Sequence, residues 1–557
     1  MTFPALFAEA AALPKGGLTI LDNLVIAVFL LSMLGMGIMI ARKNRSTEDF
    51  FVGGRNLPAW AVGISIFASL LSTITYLGMP GEMFRTGIAF LTRQLPIPLV
   101  LVVVLCLWIP FFMRLNLTSA YEYLQQRFNY PLRVMVAVFC LLLLFGWMSV
   151  VVLTASMAMA EIANLDLNWF FGTNYEEIDA EGALIVYRDA DMHAVIISIG
   201  LFSVLYTTLG GIRAVIWTDV IQFLVLMVGA FFTMATVAWM TNSGIGDWIA
   251  TSQTYKHEAV EWFKPDIGDR SNVMFIALGM FFWFTCTHGA NQVALQRYFS
   301  VADVKAARCS YLVSALASIG IGIILAGVGI SMMHFIQSYD LPAELGLDSL
   351  DTQIRSTAQD KIFPQFIRYY LPSGLRGMVV AALFAAAMST IDSGANSVST
   401  IVTVDFFRPL SGGDVTAQTE LRRARMITAT MGLFIVAYTI GVYHASKGTD
   451  IITLCQKGFN CFLGPMGAVF FLGMFMRSAT PASVIPAFVV GEIFGVCSSY
   501  SFDLFEIEYS THLVVPGSWL VTVVVAVVLG AVLQTRATDE QQKLMWAPIV
   551  RSGSMPD

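Results

Sequence analysis

Leu57 to Gly87 reads LPAWAVGISIFASLLSTITYLGMPGEMFRTG, and the fold of the whole chain turns on it. The stretch is long and apolar enough to cross a bilayer, which takes about 20 such residues. It also carries Ser65, Ser69, Ser72, Thr73 and Tyr76 at helical spacing, so their hydroxyls share one face. In hydrocarbon such a face must turn toward neighbouring helices or a wet cavity. The run Ser72-Thr73-Ile74-Thr75 competes with helical backbone bonding, and Gly78 and Pro80 follow closely. The pattern predicts a membrane helix broken near its middle, whose freed carbonyls would suit a small hard cation. A packing face of small residues is the plainer alternative.

Apolar residues make up 57% of the 557 and charged ones 13%, about half the charge of a soluble domain. This composition predicts an all-α integral membrane protein. There is no basic tract for nucleic acid, and the seven cysteines stand singly with no CxxC pair. No nucleophile, zinc-protease or P-loop motif is present, so the chain is not read as an enzyme. The N-terminus lacks a basic signal-peptide region, and its first apolar run is expected to remain as an anchor.

Hydropathy predicts about thirteen spans. Residues 1–57 give an extra N-terminal helix and loop, 58–240 a first set of five, and 272–476 a second set. Residues 480–534 give two peripheral helices and 535–557 a tail. Basic residues such as Arg42, Lys43, Arg45 and Arg55 concentrate in one set of connections, which places the N-terminus outside and the C-terminus in the cytoplasm. The outer segment 162–191 agrees: Asp166, Glu176, Glu177, Asp179, Glu181, Asp189 and Asp191 face a single Arg188. Each set of five has a polar stretch between its second and third spans, Thr118–Asn129 inside and 338–374 outside, both read as surface helices. Five crossings invert the second set, and Thr285–Asn291 is expected to interrupt its first span as Ser72–Thr75 interrupts the other. Paired interruptions mark a midplane binding site in an inverted repeat.

Several polar residues stand out within the spans. Ala386, Ser389, Thr390, Ser393, Ser397 and Thr400 line one face of a helix from 375 to 403, where neutral oxygens could hold sodium or simply join helices. Asp219 lies about two turns into its span, and an acid at that depth reads as functional: a cation ligand or the partner of a base. Asp392 raises the same question, while Glu492 is read as structural. Arg93 and Lys457 are bases near the outer half; each either meets a substrate carboxylate or snorkels to water. His288 is a candidate substrate contact or a satisfied core histidine.

LPAWAVGISIFASLLSTITYLGMPGEMFRTG, RLNLTSAYEYLQQRFN, LGGIRAVIWTDVIQF, ANQVALQRYFS and STIDSGANSVSTIVTVDFFRP together resemble the sodium:solute symporter family, in wording nearest its multivitamin, monocarboxylate and iodide branch. The resemblance implies a LeuT-like five-plus-five inverted repeat working by alternating access, with Na⁺ as the coupling ion. The family's sodium site would fall on the carbonyls of Ala68 and Leu71 and on Ala386, Ser389 and Thr390. Asp219 matches the acid of an additional sodium site in some members, although that site also uses a serine where this chain has Ala386. Sugar-carrying members place Glu where this chain has Gln94 and Gln where it has Lys457. Sialic-acid members have an arginine near the place of Met148.

The resulting expectation is a sodium-coupled importer of a small organic anion, a monocarboxylate or vitamin, in the plasma or inner membrane. Ser72, Thr73, Thr75, Gln94, Thr287, His288 and Lys457 are the expected solute contacts, with Lys457 taking the carboxylate. Sugar or sialic-acid symport is the main alternative, and a channel or a solute sensor a more distant one. The partners expected are the solute, sodium and the bilayer, with a monomer as the transport unit.

Overall fold

The computed structural model describes residues 17–42, 46–163, 175–178, 184–187, 189–254, 262, 266–268, 272–339, 363–410, 416–446 and 454–552. In chain order the principal helices are α1 (Ile20–Ala41), α2 (Ala59–Leu70), α3 (Thr73–Thr86), α4 (Leu91–Phe112), α5 (Tyr130–Ala163), α6 (Asp189–Thr241) and α7 (Val273–Ala290). They continue as α8 (Gln292–Tyr298), α9 (Val304–Tyr339), α10 (Leu375–Ile401), α11 (Ala417–Ala445), α12 (Cys461–Phe475), α13 (Pro481–Ser499) and α14 (Val514–Val532). The predicted all-α membrane architecture is present, with one addition. In the connection between α5 and α6, β1 (Tyr175–Ile178) pairs antiparallel with β2 (Leu184–Tyr187), Tyr175 opposite Tyr187.

Among the described residues, eleven helices are long and apolar enough to span a bilayer, and the bent pair α2–α3 adds a twelfth. The count reaches the expected thirteen because α6 is two spans. A straight helix of its 53 residues would run about 80 Å, against a hydrocarbon core of about 30 Å. Gly211 interrupts it with φ 60° and ψ −165°, a conformation glycine adopts freely. The Gln222 amide then reaches Tyr206 Oη at 3.2 Å across sixteen residues of sequence, so the chain folds back at Gly211.

The first predicted break is where the sequence puts it. Leu71 (ψ 99°) and Ser72 (ψ 167°) are extended, and α2 and α3 meet at 66°. Ser72 O accepts from both Thr75 N (3.0 Å) and Tyr76 N (3.1 Å), so Ser72 opens the second half-helix while Pro80 rides inside it. The second break differs from expectation. Thr285 to Ala290 are helical, and the interruption is confined to Asn291 (ψ 123°), whose side chain accepts from Val293 N at 3.0 Å. A single residue able to cap its own new helix makes the longer disruption unnecessary.

Helix α10 is the most buried span, enclosed by α1, α2, α5, α6 and α11, and α1 turns most of its own surface outward. Helix α5 approaches the turn Gln456–Asn460, which leads into α12, so closely that a Cβ on Gly146 would fall 1.9 Å from the Gly458 carbonyl oxygen. The stretch 118–129, expected as a surface helix, is instead tucked into the bundle. Only Glu122–Arg127 is helical, and Tyr121, Tyr123 and Arg127 are fully buried. Of its counterpart 338–374, residues 340–362 lie outside the described residues and 363–370 are helical.

Candidate functional site

Helix α10 lays its hydroxyl face against the break between α2 and α3. The last helical bond of α2 runs from Leu71 N to Phe67 O, and the next carbonyl, Ala68 O, faces the Ser389 hydroxyl at 3.1 Å. Ser389 Oγ also lies 3.1 Å from Ala386 O, and Thr390 Oγ1 lies 3.3 Å from the same carbonyl. A hydroxyl has one proton and two lone pairs, so Ser389 cannot donate to both carbonyls at once. Four neutral oxygens therefore converge in a fully buried place with fewer protons than acceptors, an arrangement suited to a weakly held cation. Leu71, extended and buried, brings its carbonyl to the same junction.

A second network adjoins this one. Asp219, fully buried, accepts at Oδ2 from Ser65 (2.5 Å), Ser69 (3.3 Å) and the Arg297 guanidinium (3.1 Å). Arg297 also donates to Ser65 Oγ (2.8 Å), Val293 O (2.8 Å) and Ser393 Oγ (2.5 Å). Ser393 in turn donates to Ser389 O at 2.5 Å, joining the two networks. Two charges buried this deep are tolerable only when paired and surrounded by hydrogen-bonding groups. Arg297 was not singled out by sequence reasoning, although a buried acid in a span signals the need for a base. It is the break at Asn291 that sends α8, with Arg297, toward the serine face of α2.

The expected solute contacts divide into two groups. A cavity of about 250 Å³ beside the α2–α3 break is lined by Ser72, Thr75, Gln94 and His288. Thr73 points elsewhere and donates to Val151 O at 2.9 Å, and Thr287 is buried away from the cavity. Gln94 reaches over Gly322, and its Oε1 has no hydrogen-bond partner among the described residues. His288 is held by Tyr298 Oη at 2.8 Å, which leaves one ring nitrogen to the cavity.

The two bases lie in different surroundings. Lys457 does not line the cavity: it pairs with Asp503 and sits 5.1 Å above the Tyr500 ring, both residues of the hairpin between α13 and α14. Its charge is thus met by a carboxylate of the protein. Arg93, for which a substrate carboxylate and snorkelling to water are the two sequence readings, lines the cavity, with a guanidinium nitrogen 3.7 Å from Met280 Sδ. Trp147, Trp283, Phe67, Phe284 and Phe459 supply an aromatic wall that sequence reasoning missed. Asp392 bonds neither base; its carboxylate takes hydroxyls from Tyr206 and from Thr207 (2.9 Å for the latter). Met148 packs against Gly394 on α10 and lies outside the cavity.

Residues 50–172 and 184–491 match the sodium:solute symporter family. The chain belongs to that family. It is similar to the sodium/sialic acid symporter NanT of Aliivibrio fischeri, 29% identical over 84% of this chain and 85% of the other. The human sodium/iodide cotransporter is 26% identical over 89% of this chain and 72% of its own length. The rabbit sodium-dependent multivitamin transporter is 28% identical over 85% and 69%. Among solved structures, a substrate-bound, outward-open Na⁺-coupled sialic acid symporter superposes with a TM-score of 0.78. Its identity is 25%, over 93% of this chain and 99% of the other. The nucleobase-cation symporter Mhp1 shares the fold at a TM-score of 0.51. The protein is a multi-pass sodium-coupled symporter with the LeuT-like inverted repeat.

Proposed function

We propose that the symporter imports a small organic anion with sodium, and that Arg93 receives the solute's carboxylate. The observation that carries this reading is a guanidinium lining a largely apolar cavity, with Glu82 as a charged neighbour. Arginine offers a planar fork of donors matched to a carboxylate, and Gln94 Oε1 adds an acceptor for a hydroxyl or amide on the solute. Ser72, Thr75, His288, Tyr311, Ser314, Ser318 and Asn460 add further polar groups to the cavity wall, where they meet the rest of the solute. At about 250 Å³ the cavity lies near the small end of ligand pockets, which run from about 300 Å³ upward. Lys457 leaves the solute site on this reading, because it turns to Asp503 and does not line the cavity.

Sodium binds on this reading to the Ala68 and Leu71 carbonyls with Ala386, Ser389 and Thr390. Asp219 has its charge compensated by Arg297, so a single sodium per cycle is the simpler stoichiometry and Asp219 positions the network. The repeats run through 58–240 and 272–476, with the N-terminus outside and the C-terminus cytoplasmic, as the charge distribution favours. A second reading, sialic acid, is favoured by the similarity to NanT and shares the carboxylate. The aromatic wall speaks for a less hydroxylated solute. Sodium-driven uptake into proteoliposomes tests the proposal: labelled monocarboxylates accumulate in the wild type and fall at least tenfold in Arg93→Gln. Uptake of hexoses with carboxylates ignored contradicts it.

A further inference from the structure

The start of α6 and the end of α11 meet on the outer face, and there a pair of histidines stands apart from the transport site. His193 Nε2 and His444 Nε2 are 3.0 Å apart, with ring centroids 5.1 Å from each other. The pair is supported from beside it. Tyr443 donates its hydroxyl to Asp189 Oδ1 at 2.6 Å, and its ring meets His193 nearly edge-on at 6.1 Å. Asp189 lies one turn before His193 on α6, and Tyr443 adjoins His444 on α11, so the carboxylate–phenol bond fixes the two helix ends that carry the imidazoles. His444 is exposed and His193 half-buried, so the two Nε2 atoms can be reached from solution.

In the metal-free pair one imidazole donates a proton to the lone pair of the other. A metal ion takes a lone pair from each. Two zinc–nitrogen bonds of about 2.0–2.1 Å at a tetrahedral angle set the nitrogens about 3.3 Å apart, a few tenths beyond the observed spacing. Small rotations of the two rings supply that difference. Imidazole nitrogens select zinc, copper or nickel over sodium, magnesium or calcium, so such an ion does not compete with the oxygen site at Ser389. Among the described residues no third histidine, cysteine or carboxylate completes a cluster around the pair.

We propose that His193 and His444 form a two-histidine site for a divalent transition metal such as zinc, which staples the start of α6 to the end of α11. The test is calorimetric titration of zinc chloride into the full-length symporter in lipid nanodiscs, without a polyhistidine tag. One saturable ion per chain is expected in the wild type and in a His512→Gln control. That binding should be lost in both His193→Gln and His444→Gln. Absence of saturable binding in the wild type, or equal binding in either of the two variants, overturns the proposal. Because a variant can fail to fold, a second measurement uses the wild type alone. Copper(II) added at one equivalent should give an electron spin resonance spectrum split by two imidazole nitrogens, and a spectrum with no nitrogen splitting also overturns it.

Discussion

The two repeats each contain a broken first helix, and the two breaks are closed in opposite ways. At Leu71–Ser72 the Ala68 carbonyl is offered across the bundle to a hydroxyl of α10, Ser389, at 3.1 Å. At Asn291 the new helix is capped from within by the Asn291 side chain, and the Ala290 carbonyl is taken by Tyr121 Oη at 2.9 Å. Gln292 adds bonds to Ala120 N (3.0 Å) and Thr118 O (2.9 Å), tying the second break to the 114–129 connection. One break keeps oxygen atoms available for an ion, while the other closes its polar groups and delivers Arg297 to Asp219. On the proposed reading the same backbone device makes a binding site in one repeat and an anchor in the other. What decides is the side chain at the break: an asparagine caps its own helix, whereas Ser72 makes no such bond.

The largest effect should follow from cutting the anchor. Asp219→Asn or Arg297→Gln leaves one buried charge uncompensated, which costs roughly 3–5 kcal/mol of stability. Thermal unfolding in detergent should show a steep loss for either variant. Midpoints within a degree or two of wild type would mean that the pair does not hold the repeats together.

A smaller effect sharpens the contrast between the breaks. Asn291→Ala removes a cap and should cost about 0.5–2 kcal/mol, while the sodium concentration for half-maximal uptake stays near that of wild type. A tenfold rise in that concentration would show that both breaks serve the ion.

The smallest effect is expected at the rim. Lys457→Gln breaks a partly exposed ion pair with Asp503, worth about 0–1 kcal/mol, and should leave carboxylate uptake nearly unchanged. Loss of carboxylate uptake in Lys457→Gln, with Arg93→Gln unaffected, would return the solute's anchor to Lys457.

These placements show what a sequence can carry. The serine stripe on α2 and the hydroxyl face of α10 were legible because both follow ordinary helical periodicity, and both meet where that periodicity puts them. The doubling-back at Gly211 was legible as two apolar runs. Arg93 and Lys457 were not placed correctly, and both lie in irregular turns. Arg93 closes the 3₁₀ segment Gly87–Gln94, and Lys457 lies in the π-helical turn Gln456–Asn460. A tighter or wider turn shifts the face on which every following side chain emerges, and no residue pattern announced either change. The partnership of Asp219 with Arg297 was hidden for another reason. It depends on the direction α8 takes after Asn291, a consequence of packing between repeats that are 78 residues apart at this contact.

The central claim is that the oxygens around the α2–α3 break hold the coupling sodium. It is tested most directly by sodium activation of uptake in Ser389→Ala, measured in proteoliposomes beside the wild type. Loss of one direct ligand should raise the half-activating sodium concentration about tenfold, equivalent to about 1.4 kcal/mol, with the thermal midpoint little changed. An unchanged sodium dependence in a folded, transporting Ser389→Ala protein would contradict the assignment.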